Sequence, residues 1–216
     1  MNKTKIEWTD YTWNPVTGCH NDCSYCYARK IGLRFQGHFN PTFHPDRLKQ
    51  PYKAKPSKIF VCSMSDLFAP WIPVGWINQI IKVAKENPQH TFQFLTKYPS
   101  GYRRIRKYPK NCWLGATITN DEDSHRLSSL YMLKNKTFVS YEPLLSAIPH
   151  YSLTHLSWVI VGALTGWVRS KKQTKREWVE GVLKQVDKYE KPVFMKNNLK
   201  PIWKGKLRQE FPSNQG

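Results

Sequence analysis

Short apolar runs, each followed by polar residues and then by a stretch of helical period, recur along this chain. Residues 59–62 are such a run, followed by Ser63-Met64-Ser65-Asp66 and a helix over 77–85. Residues 91–95 lead into Thr96-Lys97 and a short basic helix over 102–107. Residues 113–116 lead into Thr117-Ile118-Thr119-Asn120 and a helix over 121–133, whose acidic first turn suits its dipole. Residues 137–140 precede Tyr141-Glu142-Pro143, and 158–161 precede Gly162 and a helix over 175–189 that Thr174 can cap. Residues 192–195, followed by Lys196-Asn197-Asn198, predict a seventh strand. The first strand is predicted at 12–16, closing at the turn-formers Pro15 to Gly18, and a helix at 27–35 contains Gly32 as its one breaker. Residues 37–56, interrupted by Gly37, Pro41, Pro45, Pro51 and Pro56, predict an irregular insertion that carries His38 and His44.

Continuous apolar strands alternating with amphipathic helices predict an α/β fold with a mainly parallel sheet. Reacting groups in such folds lie at the carboxyl ends of the strands. That end would gather Ser63, Ser65, Asp66, Thr96, Lys97, Thr117, Glu142 and Lys196. Each of these also reads as an ordinary strand-end hydrogen bonder or helix cap, so the argument rests on their shared side.

At 216 residues the chain can bury one substantial core, and a single domain over 1–216 is expected. No apolar run is long enough to span a bilayer, and the polar stretch from Asn2 to Asp10 lacks the apolar centre of a signal peptide. A cytoplasmic protein without a membrane partner is expected. Lys and Arg number 34 against 15 Asp and Glu, a formal net charge of +19, which favours polyanionic partners and serves solubility as well.

Three of the five cysteines, Cys19, Cys23 and Cys26, fall in one loop over residues 18–27. Thiolates at C-x3-C-x2-C spacing suit an iron-sulfur cluster, and three of them leave one iron of a four-iron cubane open. The same residues also suit zinc completed by His20, His38 or His44, or three unligated thiols. Two basic stretches follow predicted strands. One interleaves Lys97, Arg103, Arg104, Arg106, Lys107 and Lys110 with Tyr98, Tyr102 and Tyr108; the other holds Arg169, Lys171, Lys172, Lys175 and Arg176. Cations with interleaved aromatic rings suit phosphate neutralisation and base stacking, and Arg103, Arg104, Arg106, Arg169, Lys171 and Lys172 are the candidate substrate contacts. The first stretch also reads as the solvated face of a helix.

The cysteine spacing, with Tyr25 just before the last cysteine, resembles the cluster motif of the radical S-adenosylmethionine (SAM) enzymes. Thr4 to Asp10, Trp13 to Cys19, Cys26-Tyr27-Ala28, Phe60 to Phe68, His90 to Lys97, Trp113-Leu114-Gly115, Glu142 to Leu145, Trp158 to Gly162 and Arg208 to Pro212 resemble a phage- and prokaryote-associated, uncharacterised three-cysteine branch. The resemblance implies a partial (β/α) barrel of about six or seven mainly parallel strands, a 4Fe-4S cluster on Cys19, Cys23 and Cys26, and SAM on the open iron. It also implies an electron donor such as flavodoxin or ferredoxin. Ser63, Ser65 and Asp66 are placed like the segment that receives the methionyl ammonium in that superfamily. Thr96, Thr117 and Glu142 are candidates for the ribose, Lys97 or Lys196 for the methionyl carboxylate, and Glu142 or Asp66 for the sulfonium. Tyr25 is expected near the adenine or the cluster loop. A salt bridge within the barrel is the structural alternative for Glu142 and Lys196. Gly162-Ala163-Leu164 departs from the Gly-Gly-Glu of many relatives, and Thr119 stands where a glutamate is common, so contacts at those places are not carried over. The expected activity is radical modification or repair of a nucleic acid or nucleotide. A radical SAM enzyme acting on a peptide or small molecule is one alternative, and a nonenzymatic zinc or iron-sulfur nucleic-acid-binding protein is the other.

Overall fold

The structure, a computed structural model, describes residues 1–165 and 173–213. The chain divides into two compact units, Met1–Leu114 and Gly115–Gly216.

In the first unit the elements are β1 (Asn2–Lys3), β2 (Tyr11–Trp13), β3 (Val16–Thr17), α1 (Tyr27–Gln36), β4 (Thr42–Phe43), β5 (Lys58–Val61), α2 (Val74–Glu86) and β6 (Thr91–Thr96). The sheet order is β1-β2-β5-β6, with β1 antiparallel at its edge and β2, β5 and β6 parallel. The expected first strand is two strands, because Pro15 has no N–H to continue a ladder. β2 stays in the sheet, while β3 pairs antiparallel with β4. The insertion over 37–56 is therefore not wholly irregular: it supplies β4 and the 3-10 turns Pro45–Lys49 and Pro51–Lys53. α2 forms because Ile77, Ile80, Ile81 and Ala84 repeat at helical spacing, and all four are buried.

The basic stretch does not form the expected helix over 102–107. It is a 3-10 turn, Pro99–Arg104, pinned by what it covers. A Cβ on Gly101 would lie 2.2 Å from the Phe68 carbonyl oxygen, and the Tyr102 ring packs 4.4 Å from that of Phe68.

β7 (Cys112–Thr117) straddles the boundary. The second unit continues with α3 (Arg126–Leu130), β8 (Thr137–Tyr141), β9 (Trp158–Val161), α4 (Arg176–Lys188) and β10 (Val193–Met195). Its strand order is β7-β8-β9-β10, and β8, β9 and β10 are parallel. The helix expected over 121–133 is instead a 3-10 turn, Asp121–His125, followed by the short α3. Asp123 explains the shortening, since its carboxylate turns back to accept the Thr119 N–H at 2.9 Å and the Thr119 hydroxyl at 2.7 Å. Thr174 does not cap α4. Lys175 is the N-cap residue, and the buried Thr174 hydroxyl donates to the Leu144 carbonyl at 2.8 Å.

All seven expected sheet strands are present, and the class is the mainly parallel α/β fold expected from the sequence. Among the described residues no helix is long and apolar enough to cross a membrane.

Candidate functional site

The cysteine loop begins at a glycine with no freedom to be anything else. Gly18 has φ +85°, and a Cβ there would lie 2.0 Å from the Asn40 carbonyl oxygen. Around it the loop is sewn to the segment that leaves β5. Gly18 N–H donates to Met64 O at 2.9 Å, Ser65 Oγ donates to Gly18 O at 2.6 Å, and Cys19 N–H donates to Phe39 O at 2.9 Å. The segment is held in turn by Asn14, whose Oδ1 accepts both Ser63 Oγ and Met64 N–H at 3.2 Å. Cys62 enters it in the left-handed region, φ 58°, a conformation that costs a non-glycine residue about 1 kcal/mol. The hydroxyls of Ser63 and Ser65, expected to face a ligand, thus fasten the loop. Asn14 is not among the expected site residues, because ahead of Pro15 it reads as an ordinary turn residue.

Cys19 is buried, Cys23 and Cys26 are half-buried, and all three thiols are free. Burial pushes the Cys19 thiol up to about 11. The Asn21 N–H, which donates to Cys19 Sγ at 3.4 Å, opposes that shift; Arg29 N–H donates to Cys26 Sγ at 3.3 Å. Cys26 is the N-cap of α1, and this bond satisfies one of the helix's free N–H groups.

Asp66 lies beneath the loop, buried. Its carboxylate accepts the Thr96 hydroxyl and, at 2.9 Å, the Lys97 N–H. Burial raises its pKa in spite of those bonds and of the nearby Lys97 charge. The Lys97 ammonium lies 4.9 Å from the centre of the Tyr25 ring and donates to the Tyr25 hydroxyl. Tyr25, Ser63, Ser65, Asp66, Thr96 and Lys97 therefore lie in the first unit with the three cysteines.

Trp71, which sequence reasoning missed, packs with Cys26 and Met64 on the patch formed by Cys19, Ala28 and Phe39. Its ring meets His20 at 5.4 Å and Tyr98 at 5.3 Å, and the Tyr98 hydroxyl donates to Asn21 Oδ1 at 2.7 Å. The Trp71 indole N–H is buried without an acceptor.

In the second unit the register is the cause of a second polar cluster. Tyr141, Val161 and Met195 are aligned across β8, β9 and β10, so the residues that follow them, Glu142, Gly162 and Lys196, lie side by side. Glu142 and Lys196 form an ion pair, as the structural alternative anticipated, and both side chains are mostly buried. The glycine between them makes room, because a Cβ on Gly162 would lie 3.1 Å from Glu142 Cδ and from Lys196 Cδ. Thr117 is buried at the end of β7, and its carbonyl accepts Arg126 Nη1 at 2.8 Å.

The basic stretch is only partly available to a substrate. Arg103 and Arg106 are exposed, but Arg104 spends its guanidinium on the carbonyls of Ala69, at 3.1 Å, and Ile72. Tyr102 and Tyr108, expected as stacking rings, are core residues around Phe68. Arg169, Lys171 and Lys172 lie outside the described residues. His44 is engaged with the Thr17 hydroxyl at 2.8 Å.

Among the described residues no three His, Cys, Asp or Glu side chains stand close enough together to hold a metal ion. The three thiols share a loop without a ligating arrangement. The chemistry of the set nonetheless fits a sulfur-ligated, anionic group: three unpaired thiols, N–H donors from Asn21 and Arg29, and the orphaned indole N–H of Trp71.

The sequence model of the family described as "Protein of unknown function (DUF5131)" matches residues 3–207. No curated protein matches the chain. Among solved structures, a doubly substituted spore photoproduct lyase with bound AdoMet and dinucleoside spore photoproduct is similar with a TM-score of 0.63 at 12% identity, over 90% of this chain and 78% of that one. A cysteine-to-serine variant of the same lyase gives 0.61 at 12% identity over the same shares. The lyase complexed with dinucleoside spore photoproduct gives 0.57 at 13% identity, over 87% and 63%. At such identities the likeness is one of fold.

Proposed function

The chain belongs to the DUF5131 family, and we propose that it is a radical SAM enzyme in which Cys19, Cys23 and Cys26 hold a 4Fe-4S cluster. The observation that carries this reading is the docking of the three-thiol loop on the polar segment after β5, through Gly18, Ser65 and Met64. The fold that the chain shares with a spore photoproduct lyase that has AdoMet bound supports it. When bound, the cluster supplies the electron that cleaves SAM to methionine and a 5'-deoxyadenosyl radical. The chain's part is to seat and orient. Asp66, fixed by Thr96 and Lys97, offers a buried acceptor for the methionyl ammonium. Lys97, set against Tyr25, offers a cation for the methionyl carboxylate. Trp71 offers an N–H to sulfur.

Reduced, reconstituted protein should release 5'-deoxyadenosine from SAM. Asp66→Ala should weaken SAM binding by about 10- to 100-fold, the worth of one charge-assisted hydrogen bond, with iron content unchanged. Parent-like SAM binding by that variant would make Asp66 a structural residue only. A second reading, a nonenzymatic protein with a structural cysteine loop, is favoured by the use of the Ser63 and Ser65 hydroxyls as fasteners. An iron spectrum unchanged on adding SAM would establish it.

The proposed substrate class is a nucleic acid or nucleotide, supported by the +19 charge and by the dinucleoside named for the lyase. Binding to single-stranded DNA or RNA should fall steeply with salt, and Arg103→Glu, Arg106→Glu and Lys107→Glu together should weaken it more than Lys49→Glu, Lys53→Glu and Lys55→Glu. Arg104 is left unchanged because its loss would release the turn at Ala69 and Ile72. Equal losses in the two triplets would leave only the general attraction of a basic chain. Absence of binding at low salt would favour a peptide or small molecule.

A further inference from the structure

Residues 196–208 carry four lysines and an arginine and no acidic residue. The segment leaves the carboxyl end of β10 and returns to the same place: Met195 N–H donates to Arg208 O at 2.7 Å, and Phe194 pairs antiparallel with Gln209. It is a built loop. Leu199 N–H donates to Lys196 O at 3.0 Å and Trp203 N–H to Leu199 O at 2.9 Å, while the Asn198 amide exchanges bonds with the N–H and the carbonyl of Ala163, at 3.0 and 2.9 Å. The cations at its two ends are used, Lys196 on Glu142 and Arg208 on Asp187 and Glu210. The three between them, Lys200, Lys204 and Lys206, are exposed and have no acidic partner among the described residues. Trp203 stands among them, half-buried, with the Arg176 guanidinium 5.5 Å from its ring centre. A Cβ on Gly205 would lie 3.3 Å from Trp203 Nε1, so glycine keeps that edge of the ring clear.

We propose that this loop is a landing site for single-stranded nucleic acid, with phosphates on Lys200, Lys204 and Lys206 and a base against Trp203. The inference rests on the substrate class proposed above and gives it a place in the second unit. Three like charges within seven residues repel one another, and a phosphate chain relieves all three at once. An indole ring with a cation beside it is the element that holds a base. The aliphatic residues argue against other anionic partners. Leu199 is buried, Ile202 and Leu207 are half-buried, and no large apolar side chain of residues 196–208 is exposed. Nothing here can enter a lipid surface or anchor a protein partner, both of which need apolar contact. Position agrees with the reading: the loop follows β10 at the carboxyl ends of β8, β9 and β10, where reacting groups gather in parallel α/β folds.

The test uses the full chain without iron and a single-stranded oligothymidylate of about 12 nucleotides, within the length that such sites cover. Lys200→Glu, Lys204→Glu and Lys206→Glu together are compared with Lys49→Glu, Lys53→Glu and Lys55→Glu, an equal change in net charge. All six side chains are exposed, so neither triplet removes core. The loop triplet should weaken binding at low salt by about 10-fold more than the other, and should lower the slope of log affinity against log salt by about 2–3 while the other leaves it near the parent's. Trp203→Ala or Trp203→Leu should weaken binding by about 5- to 100-fold at an unchanged slope, and Trp203→Phe should keep most of it. Equal losses and slopes in the two lysine triplets overturn the proposal, as does parent-like binding by Trp203→Ala and Trp203→Leu. A loss seen only on anionic vesicles or on an acidic peptide overturns it as well. A parent chain that binds no oligonucleotide at low salt sinks the nucleic-acid reading with it, whereas failure to take up iron sinks the enzyme reading and leaves this binding in place.

Discussion

Replacing any one of Cys19, Cys23 and Cys26 by Ala is expected to remove most of the iron from anaerobically reconstituted protein, which should otherwise carry about four irons per chain. A three-thiolate site has no spare ligand, so the loss should be similar at each position. Cys62→Ala and Cys112→Ala are the internal controls. Both thiols are buried outside the cysteine loop, Cys62 just after β5 and Cys112 at the start of β7. Iron and sulfide content and the visible absorbance give the readout, and far-ultraviolet circular dichroism checks that the variants fold. The three loop substitutions remove little packing where Cys23 and Cys26 are half-buried, so a folded, iron-free protein is the expected result. Stoichiometric zinc with no iron uptake, or equal iron loss from Cys62→Ala, would sink the assignment.

The sheet was legible because its strands are continuous apolar runs ended by polar residues. Glu142 and Lys196 show the strength of that signal: each is the first polar residue after its run, and the register sets them beside Gly162. Amphipathic period was a weaker guide where tertiary bonds took over. The stretch at 121–133 has helical composition, yet the return of Asp123 to Thr119 tightens its first turns. Interleaved Arg and Tyr at 102–108 looked like a solvated binding surface, but Tyr102 and Tyr108 fill space around Phe68. Sequence position cannot distinguish a hydroxyl that meets a ligand from one that fastens a loop, so Ser63 and Ser65 carry both readings in the sequence, and Asn14 and Trp71 carry no signal of their place there. All four act through partners far along the chain, Ser65 on Gly18 and Asn14 on Ser63 among them.

Gly18→Ala is expected to lower stability by about 3 kcal/mol or more, and the thermal midpoint by about 6–12 °C for a chain of this size. Two costs add at this position. The φ of +85° is a region that alanine occupies at about 1 kcal/mol. The new methyl would lie 2.0 Å from the Asn40 carbonyl oxygen and 2.9 Å from Pro41 N, both backbone, so relief requires moving the β3-β4 ribbon or the loop. Either movement breaks the bonds from Gly18 N–H to Met64 O, from Ser65 Oγ to Gly18 O and from Cys19 N–H to Phe39 O. Two other glycines separate the costs. Gly37 has φ +71° with nothing within 4 Å of a Cβ, so Gly37→Ala should show the conformational cost alone, about 1 kcal/mol. Gly181 lies inside α4 with open space around it, and Gly181→Ala should stabilise by about 0.5–1 kcal/mol through helix propensity. Thermal and urea unfolding of the three variants then isolates the contact at Asn40 as the difference between the first two. A loss at Gly18 no greater than at Gly37 would mean that the cysteine loop is not clamped as described, and cluster uptake by Gly18→Ala should then match the parent. With the clamp, uptake should fall together with stability, because the same three bonds hold Cys19 on the segment after β5.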